Sequence, residues 1–329
     1  MSALAVIGGG SFGTAMAIAL ARRFSDVRLW VHEAELATRM RTTRENDVFL
    51  PGFRLPDTIR PTSSLDEALK GATIVLGAMP SAHVRRVYTD MRPFFDPNMR
   101  VVSVTKGFER QTLFRITEVM SQSLGDPPVA TLSGPTFARE VAAGQPTLAV
   151  VASANRFLAS EIQDAFSTSS VRLYTSDDPI GVEVGGALKN VIALAAGVVQ
   201  GLKLGHNALA ALITRGLREM TRLAVAMGGQ ADTLAGLAGM GDLVLTCTGE
   251  LSRNRRVGIE LAEGRTLAEI TGSTRMIAEG VHTTYTAVEL GQRWGVEMPI
   301  SEQMFAILAN GKPPADAMRE LMERPRKGE

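Results

Sequence analysis

Cysteine is nearly missing from this chain. Its 329 residues contain one, Cys247. An intrachain disulfide is therefore excluded, which fits a reducing compartment. Histidine is scarce as well, and the four present show no metal-ligand spacing, so no metal is expected. Charge of one sign is lacking too. The formal net charge is +1, so no bulk field draws the chain to nucleic acid or to an anionic membrane, and any anion site must be local. The opening lacks a secretory pattern, because the apolar run from Ala3 to Ile7 stops at Gly8 with no basic segment before it. No internal repeat or low-complexity tract appears. One stretch, Pro179 to Leu202, is apolar enough to weigh as a membrane span. It carries Glu183, Lys189, Asn190 and Gln200, and charges are costly inside a bilayer. It reads instead as a helix buried in protein.

What is present is ordinary globular composition, 45% hydrophobic and 21% charged. The length suits two domains better than one, since single cores rarely grow past about 250–300 residues. The first half alternates short apolar runs with helical stretches. Strands are expected at Leu4–Ile7, Val27–Val31, Thr73–Ala78, Val101–Thr105, Pro128–Leu132, Thr147–Ala152 and Val171–Tyr174. Helices are expected at Gly13–Arg22, Ala34–Thr42 and Leu65–Lys70, with a Pro- and Arg-rich stretch between Pro51 and Pro61. Strands alternating with helices mean βαβ units and a mainly parallel, doubly wound sheet. From Pro179 onward strand signals nearly vanish and apolar residues recur at helical spacing. The reading is an α/β protein: a Rossmann-type dinucleotide-binding domain over 1–178, then an all-helical domain over 179–329. The charged end from Glu323 to Glu329 is expected to fray.

The first strand runs into Gly8-Gly9-Gly10-Ser11-Phe12-Gly13 and then a helix. Gly8, Gly10 and Gly13 fill the G-x-G-x-x-G positions. The first permits a tight turn, the second lets backbone approach a pyrophosphate, and the third lets helix and strand pack closely. The helix start then offers N–H groups to the anion. An acidic residue ending the second strand would bind the 2′-hydroxyl of NAD, and a basic one the 2′-phosphate of NADP. The sequence has His32-Glu33 there, so preference between the two cofactors stays open.

Ligands of such sheets bind outside the carboxyl ends of the strands. Lys106 follows one strand end and Ser133-Gly134-Pro135-Thr136-Phe137-Ala138 another. Lys106 is a cation in reach of a cofactor and an anionic substrate, or else a surface lysine. In the second half, Lys189 stands in an otherwise apolar or small-residue helix. Gly185, Gly186 and Ala193 lie one turn away, which suggests open space around the amine. A buried lysine is a usable proton donor for the alkoxide formed when hydride reduces a ketone. The bland reading is a snorkelling lysine paired with a carboxylate. Asn190 is either a hydroxyl partner or a core amide. Asp242 lies just before an apolar, strand-like stretch; it accepts from a substrate hydroxyl, pairs with Lys189, or is an ordinary turn residue. Ser252, Arg253 and Asn254 precede a helix. A capped helix start, a guanidinium fork and an amide suit a phosphate, against a solvated basic run. Cys247 has no histidine partner and reads as structural.

Taken in order, Gly8-Gly9-Gly10-Ser11-Phe12-Gly13-Thr14-Ala15, Lys106-Gly107, Leu132 to Ala138, Ala187-Leu188-Lys189-Asn190, Gly239-Met240-Gly241-Asp242-Leu243, Ser252-Arg253-Asn254 and Ala278-Glu279-Gly280 resemble the bacterial NAD(P)-dependent glycerol-3-phosphate dehydrogenases over nearly the whole chain. The resemblance implies reversible reduction of dihydroxyacetone phosphate to sn-glycerol 3-phosphate, which supplies phospholipid synthesis, by a cytosolic homodimer. It implies that Ser11, Phe12, His32, Ala138 and Glu279 contact NAD or NADP. Lys106 would reach cofactor and substrate. Lys189 would be the general acid. Gly134, Thr136, Asp242, Ser252 and Asn254 would hold the substrate, with Arg253 beside its phosphate and the cofactor. The family often has Trp at position 12 and Arg at position 32; Phe12 keeps an aromatic, whereas His32 weakens any strict NADP preference. Two other readings stand beside this one. One is a two-domain 3-hydroxyacid or 6-phosphogluconate-type dehydrogenase, whose substrate panel differs. The other is a non-catalytic dinucleotide-binding redox sensor, which needs no proton donor.

Overall fold

The computed structural model describes residues 3–272 and 278–325. The chain divides into two compact units, Met1–Glu183 and Val184–Glu329. The end expected to fray lies partly, at 326–329, outside the described residues.

The first unit begins with β1 (Ala3–Ile7), α1 (Ser11–Leu20), β2 (Asp26–Trp30), α2 (Ala34–Thr43), β3 (Glu45–Asn46), β4 (Leu50–Arg54) and β5 (Ile59–Thr62). It continues through α3 (Leu65–Leu69), β6 (Ala72–Gly77), α4 (Val84–Met91), β7 (Arg100–Ser103), α5 (Ile116–Leu124) and β8 (Val129–Ser133). It closes with α6 (Ala138–Ala142), β9 (Thr147–Ala152), α7 (Arg156–Phe166) and β10 (Val171–Ser176). Eight strands form one sheet in the order β10-β9-β8-β7-β6-β1-β2-β5. Every pairing is parallel except β8 with β9.

Alternation along β1 builds both layers. Leu4 and Val6 face a core shared with α1 and α7, through Met16, Leu20, Ile162 and Phe166. Ala5 and Ile7 face the other side, against α4 and α5, through Val87, Tyr88, Val119 and Met120. A strand buried on both faces reads as a continuous apolar run, which is why β1 is legible. The chain leaves β1 toward β2 and later returns to β6 on its other side. That reversal opens a crevice at the carboxyl ends of β1 and β6, where ligands of such sheets bind.

The sequence reading assigned no strand between Pro51 and Pro61, yet β4 and β5 fall there. β4 pairs antiparallel with the two-residue β3. Pro61 is tolerated because β5 is the outer strand of the sheet, where a missing N–H is harmless.

The helix α8 (Pro179–Gly201) runs from the first unit into the second. It has the length and hydropathy of a membrane span, but its apolar window is wholly buried. The second unit then carries α9 (Gly205–Ala226), α10 (Ala231–Ala235), a π-helical turn (Leu237–Gly241), α11 (Asp242–Thr248), α12 (Arg253–Ala262), α13 (Leu267–Gly272), α14 (Glu279–Trp294), α15 (Pro299–Asn310) and α16 (Pro314–Glu323). The strand-like stretch after Asp242 is corrected to a helix. Its buried residues Asp242, Leu243, Thr246 and Cys247 recur at helical spacing. A short apolar run does not by itself distinguish strand from helix.

Candidate active site

The nucleotide loop fits a dinucleotide by its backbone. Gly8 has φ +127°, and a Cβ there would lie 2.5 Å from the Ala78 carbonyl oxygen at the end of β6. A Cβ on Gly13 would come within 1.9 Å of the Gly8 carbonyl oxygen. Gly10 alone faces open space, with nothing within 4 Å of a Cβ. Gly10 is also the N-cap of α1 and supplies no side-chain cap. The helix start thus leaves N–H groups beside an empty approach, which suits a pyrophosphate. The loop is held from behind by Asn46, fully buried, whose Nδ2 donates to the Gly9 carbonyl and to Thr14 Oγ1, each at 2.8 Å. Sequence reasoning missed Asn46, because its neighbours show no motif. Of the predicted contacts, Ser11 donates its hydroxyl to the Phe49 carbonyl at 2.7 Å, and Phe12 and Ala138 pack half-buried against the core. His32 is exposed just past β2, tilted against the Trp30 ring at 5.8 Å.

Lys106, Gly134 and Thr136 come together. Lys106 Nζ donates to the Gly134 carbonyl at 3.0 Å, and Thr136 Oγ1 donates to the same oxygen at 3.0 Å. Gly134 has φ +147°, and a Cβ there would lie 2.9 Å from Ala149 Cα, so only glycine fits. The loop carrying Lys106 is clamped by Glu109. Its carboxylate takes two hydrogen bonds from Arg85, at 2.6 and 2.7 Å, and one from Thr112 at 2.5 Å. The Arg85 hydrogen bond holds the Glu109 carboxyl below the usual carboxylate range. Further along, Glu183 is buried and accepts from Arg115 at 2.7 Å and from the Thr117 N–H at 2.8 Å. Burial pushes its carboxyl upward while Arg115 and Thr117 pull against that.

In the second unit, Lys189 is 6% exposed and Asp242 is 1% exposed. Lys189 Nζ donates to Asp242 Oδ1 at 2.5 Å and to Thr246 Oγ1 at 2.7 Å. Thr246 Oγ1 in turn donates a hydrogen bond to the Asp242 backbone carbonyl at 2.6 Å. An ammonium this deep needs a compensating carboxylate, and Asp242 is that partner. A snorkelling lysine is therefore ruled out by burial. The expected open space at Gly185 is also corrected. A Cβ there would meet the Ala238 carbonyl oxygen at 2.8 Å, so the glycine permits close packing rather than a void. Thr246 was missed because its place beside Lys189 depends on α11 being helical, with Asp242 and Thr246 four residues apart. Cys247 is fully buried, and that burial pushes its thiol up to about 12.

Ser252 caps α12, accepting from the Arg255 N–H at 3.3 Å. Asn254, buried, joins three helices: its Nδ2 donates to Asn190 Oδ1 at 2.9 Å, and its Oδ1 accepts from the Gly280 N–H at 3.0 Å. Arg253 stands between these buried neighbours; partial burial of its guanidinium lowers its pKa, and the Glu279 carboxylate pulls against that. Residues 3–159 match the N-terminal model of NAD-dependent glycerol-3-phosphate dehydrogenase, and residues 178–319 match the C-terminal one.

The chain belongs to the NAD-dependent glycerol-3-phosphate dehydrogenase family. It is 55% identical to a glycerol-3-phosphate dehydrogenase [NAD(P)+] from Koribacter versatilis, over 99% of this chain and 98% of that one. A protein of the same name from Geobacter sp. strain M21 is 52% identical, with the same coverage. Among solved structures, glycerol-3-phosphate dehydrogenase from Coxiella burnetii superposes with a TM-score of 0.95 at 41% identity, covering 98% of this chain and 99% of that one. Within this family frame, the α/β sheet followed by a helical half is the family fold.

Proposed function

We propose that this glycerol-3-phosphate dehydrogenase family member reduces dihydroxyacetone phosphate to sn-glycerol 3-phosphate with NADPH or NADH, reversibly. The observation that carries the reading is the buried Lys189–Asp242–Thr246 cluster. Gly8, Gly10, Gly13, Ser11, Phe12, His32 and Ala138 would hold the dinucleotide, with Arg253 and Glu279 the further contacts that the family resemblance implies. Bound there, a reduced nicotinamide supplies hydride to the substrate carbonyl carbon.

Lys189 gives its proton to the carbonyl oxygen as negative charge builds on it, and recovers one from solvent. Asp242 and Thr246 fix the ammonium so that the donor is in place before the reaction begins. Lys106, held with Thr136 on the Gly134 carbonyl, is the second cation that the resemblance assigns to cofactor and substrate. The phosphate rests at the start of α12, on the N–H groups that Ser252 leaves unfilled and on the Arg253 fork. Asn254 and Asn190 border that position from behind. Residues 179–329 are thus the substrate-binding part. His32 is neither the acid that would select NAD nor the fixed cation that would select NADP, so this position sets no preference between them. Cytosolic residence and a homodimer complete the reading, and the product feeds phospholipid synthesis.

The test is oxidation of NADPH and of NADH at saturating dihydroxyacetone phosphate, for the native protein and Lys189→Ala. Native turnover with a loss of roughly 10²-fold or more in the variant is expected, the usual span for removing a general acid. Native protein inert with both cofactors refutes the substrate. Full turnover in Lys189→Ala refutes the proton donor.

A further inference from the structure

The run Gly239-Met240-Gly241 just before Asp242 takes no part in the chemistry above, yet its backbone is unusual. Residues Leu237–Gly241 form a single π-helical turn, with the Gly241 N–H donating to the Gly236 carbonyl at 3.1 Å. Such turns are rare and concentrate at functional sites. A Cβ on Gly239 would lie 2.0 Å from the Leu234 carbonyl oxygen and 2.5 Å from Leu234 Cα. On α8, a Cβ on Gly185 would lie 2.8 Å from the Ala238 carbonyl oxygen and 3.2 Å from a Leu234 methyl. The nearest obstacle at each glycine is backbone, which cannot rotate aside as a side chain does.

The π turn therefore meets the end of α10 and α8 backbone to backbone, with a Leu234 methyl filling in beside Gly185. The contact has a register. Gly185 and Lys189 are four residues apart on α8, and so share a face. Ala238 and Asp242 are also four apart. The Gly185–Ala238 approach thus sits one step along from the Lys189–Asp242 ion pair.

We infer that this glycine seat positions the proton donor: Gly239 and Gly185 set how closely α11 approaches α8, and hence where Asp242 holds the Lys189 ammonium. Both are positioning residues and touch no reacting atom. The inference rests on the reading of Lys189 as general acid. A methyl at Gly239 forces the π turn off Leu234 and carries Asp242 with it. A misplacement of about 1 Å in such a constellation costs on the order of 10²-fold in rate.

The experiment compares kcat and KM, with NADPH and dihydroxyacetone phosphate, for native protein, Lys189→Ala, Gly239→Ala, Gly185→Ala and Gly236→Ala, each shown folded by circular dichroism at the assay temperature. Gly236 stands at the same turn, but the nearest atom to a Cβ there is at 3.4 Å, an ordinary contact. The expected result is a fall of kcat on the order of 10²-fold for Gly239→Ala, by the misplacement argument. Gly185→Ala should show a smaller fall in the same direction, with KM for NADPH unmoved in both. Gly236→Ala should keep native values. Loss in Lys189→Ala together with native kcat in folded Gly239→Ala and Gly185→Ala overturns the seat alone. So does an equal loss in Gly236→Ala. Full activity in Lys189→Ala overturns the proton-donor reading and this inference with it. Should Gly239→Ala fail to fold, Gly185→Ala decides by the same two numbers.

Discussion

At the scale of single residues, Thr246 does two things with one hydroxyl. It accepts from the Lys189 ammonium and donates to the Asp242 backbone. Thr246→Val keeps the volume and removes both bonds. A hydrogen bond to a charged group is worth about 1.5 kcal/mol at the low end, or roughly tenfold in rate. The expected outcome is a fall of that size in kcat, with KM for the cofactor unchanged, read from initial rates. Lys189 and Asp242 were legible as chemistry because a charge in an apolar helix and an acid in a glycine-rich turn stand out in sequence. Their pairing stood as one option among several, and burial selects it. Thr246 and Asn46 were not legible. Neither belongs to a charged or glycine-rich pattern, and each earns its place through a contact 57 or 37 positions away.

At the scale of elements, helix starts and clamped loops do the positioning. Ser252 caps α12, and loss of such a cap costs about 1 kcal/mol. Ser252→Ala should lower stability by that amount in urea titrations and raise KM for dihydroxyacetone phosphate, since the same helix start is the proposed seat of the phosphate. The loop after β7 depends on Glu109 and Arg85. The Glu109 carboxyl is depressed in the folded protein, mainly by its Arg85 hydrogen bond. A depressed acid contributes stability above its unfolded value, and that contribution is lost as pH falls through the folded one. Arg85 is half exposed, so the clamp is worth about 1 kcal/mol after solvent screening. Glu109→Gln should therefore be less stable than native at pH 7, with the gap closing as pH falls below about 4.5, as followed by chemical denaturation. A gap that does not narrow at all as pH is lowered from 7 would refute the clamp. Most strands of the first unit were legible because both of their faces are buried. β4 and β5 were not, because Pro51 and Pro61 argue against strands unless the edge position is known. The helix α11 was misread since three apolar residues in a row carry no period.

At the scale of the whole molecule, a dinucleotide binding only the native state must stabilise it. At a free concentration of 100 times Kd the gain is about 2.7 kcal/mol, visible as a rise in melting temperature with NADPH and with NADH. No rise with either would refute dinucleotide binding at the glycine-rich loop. The α/β-then-α order was legible from the switch in hydrophobic period near Ser176 to Pro179. The cofactor preference was not, because His32 carries neither of the residue types that decide it.

The lone thiol gives the protein a built-in clock. Cys247 lies next to Thr246 on α11, wholly enclosed and held protonated. An alkylating reagent in the surrounding buffer meets no reactive sulfur until that short helix swings out. The rate at which the native chain takes up a maleimide therefore counts the openings of the segment that carries Asp242. Because no second thiol competes, a mass shift of one adduct reports them without any engineered label.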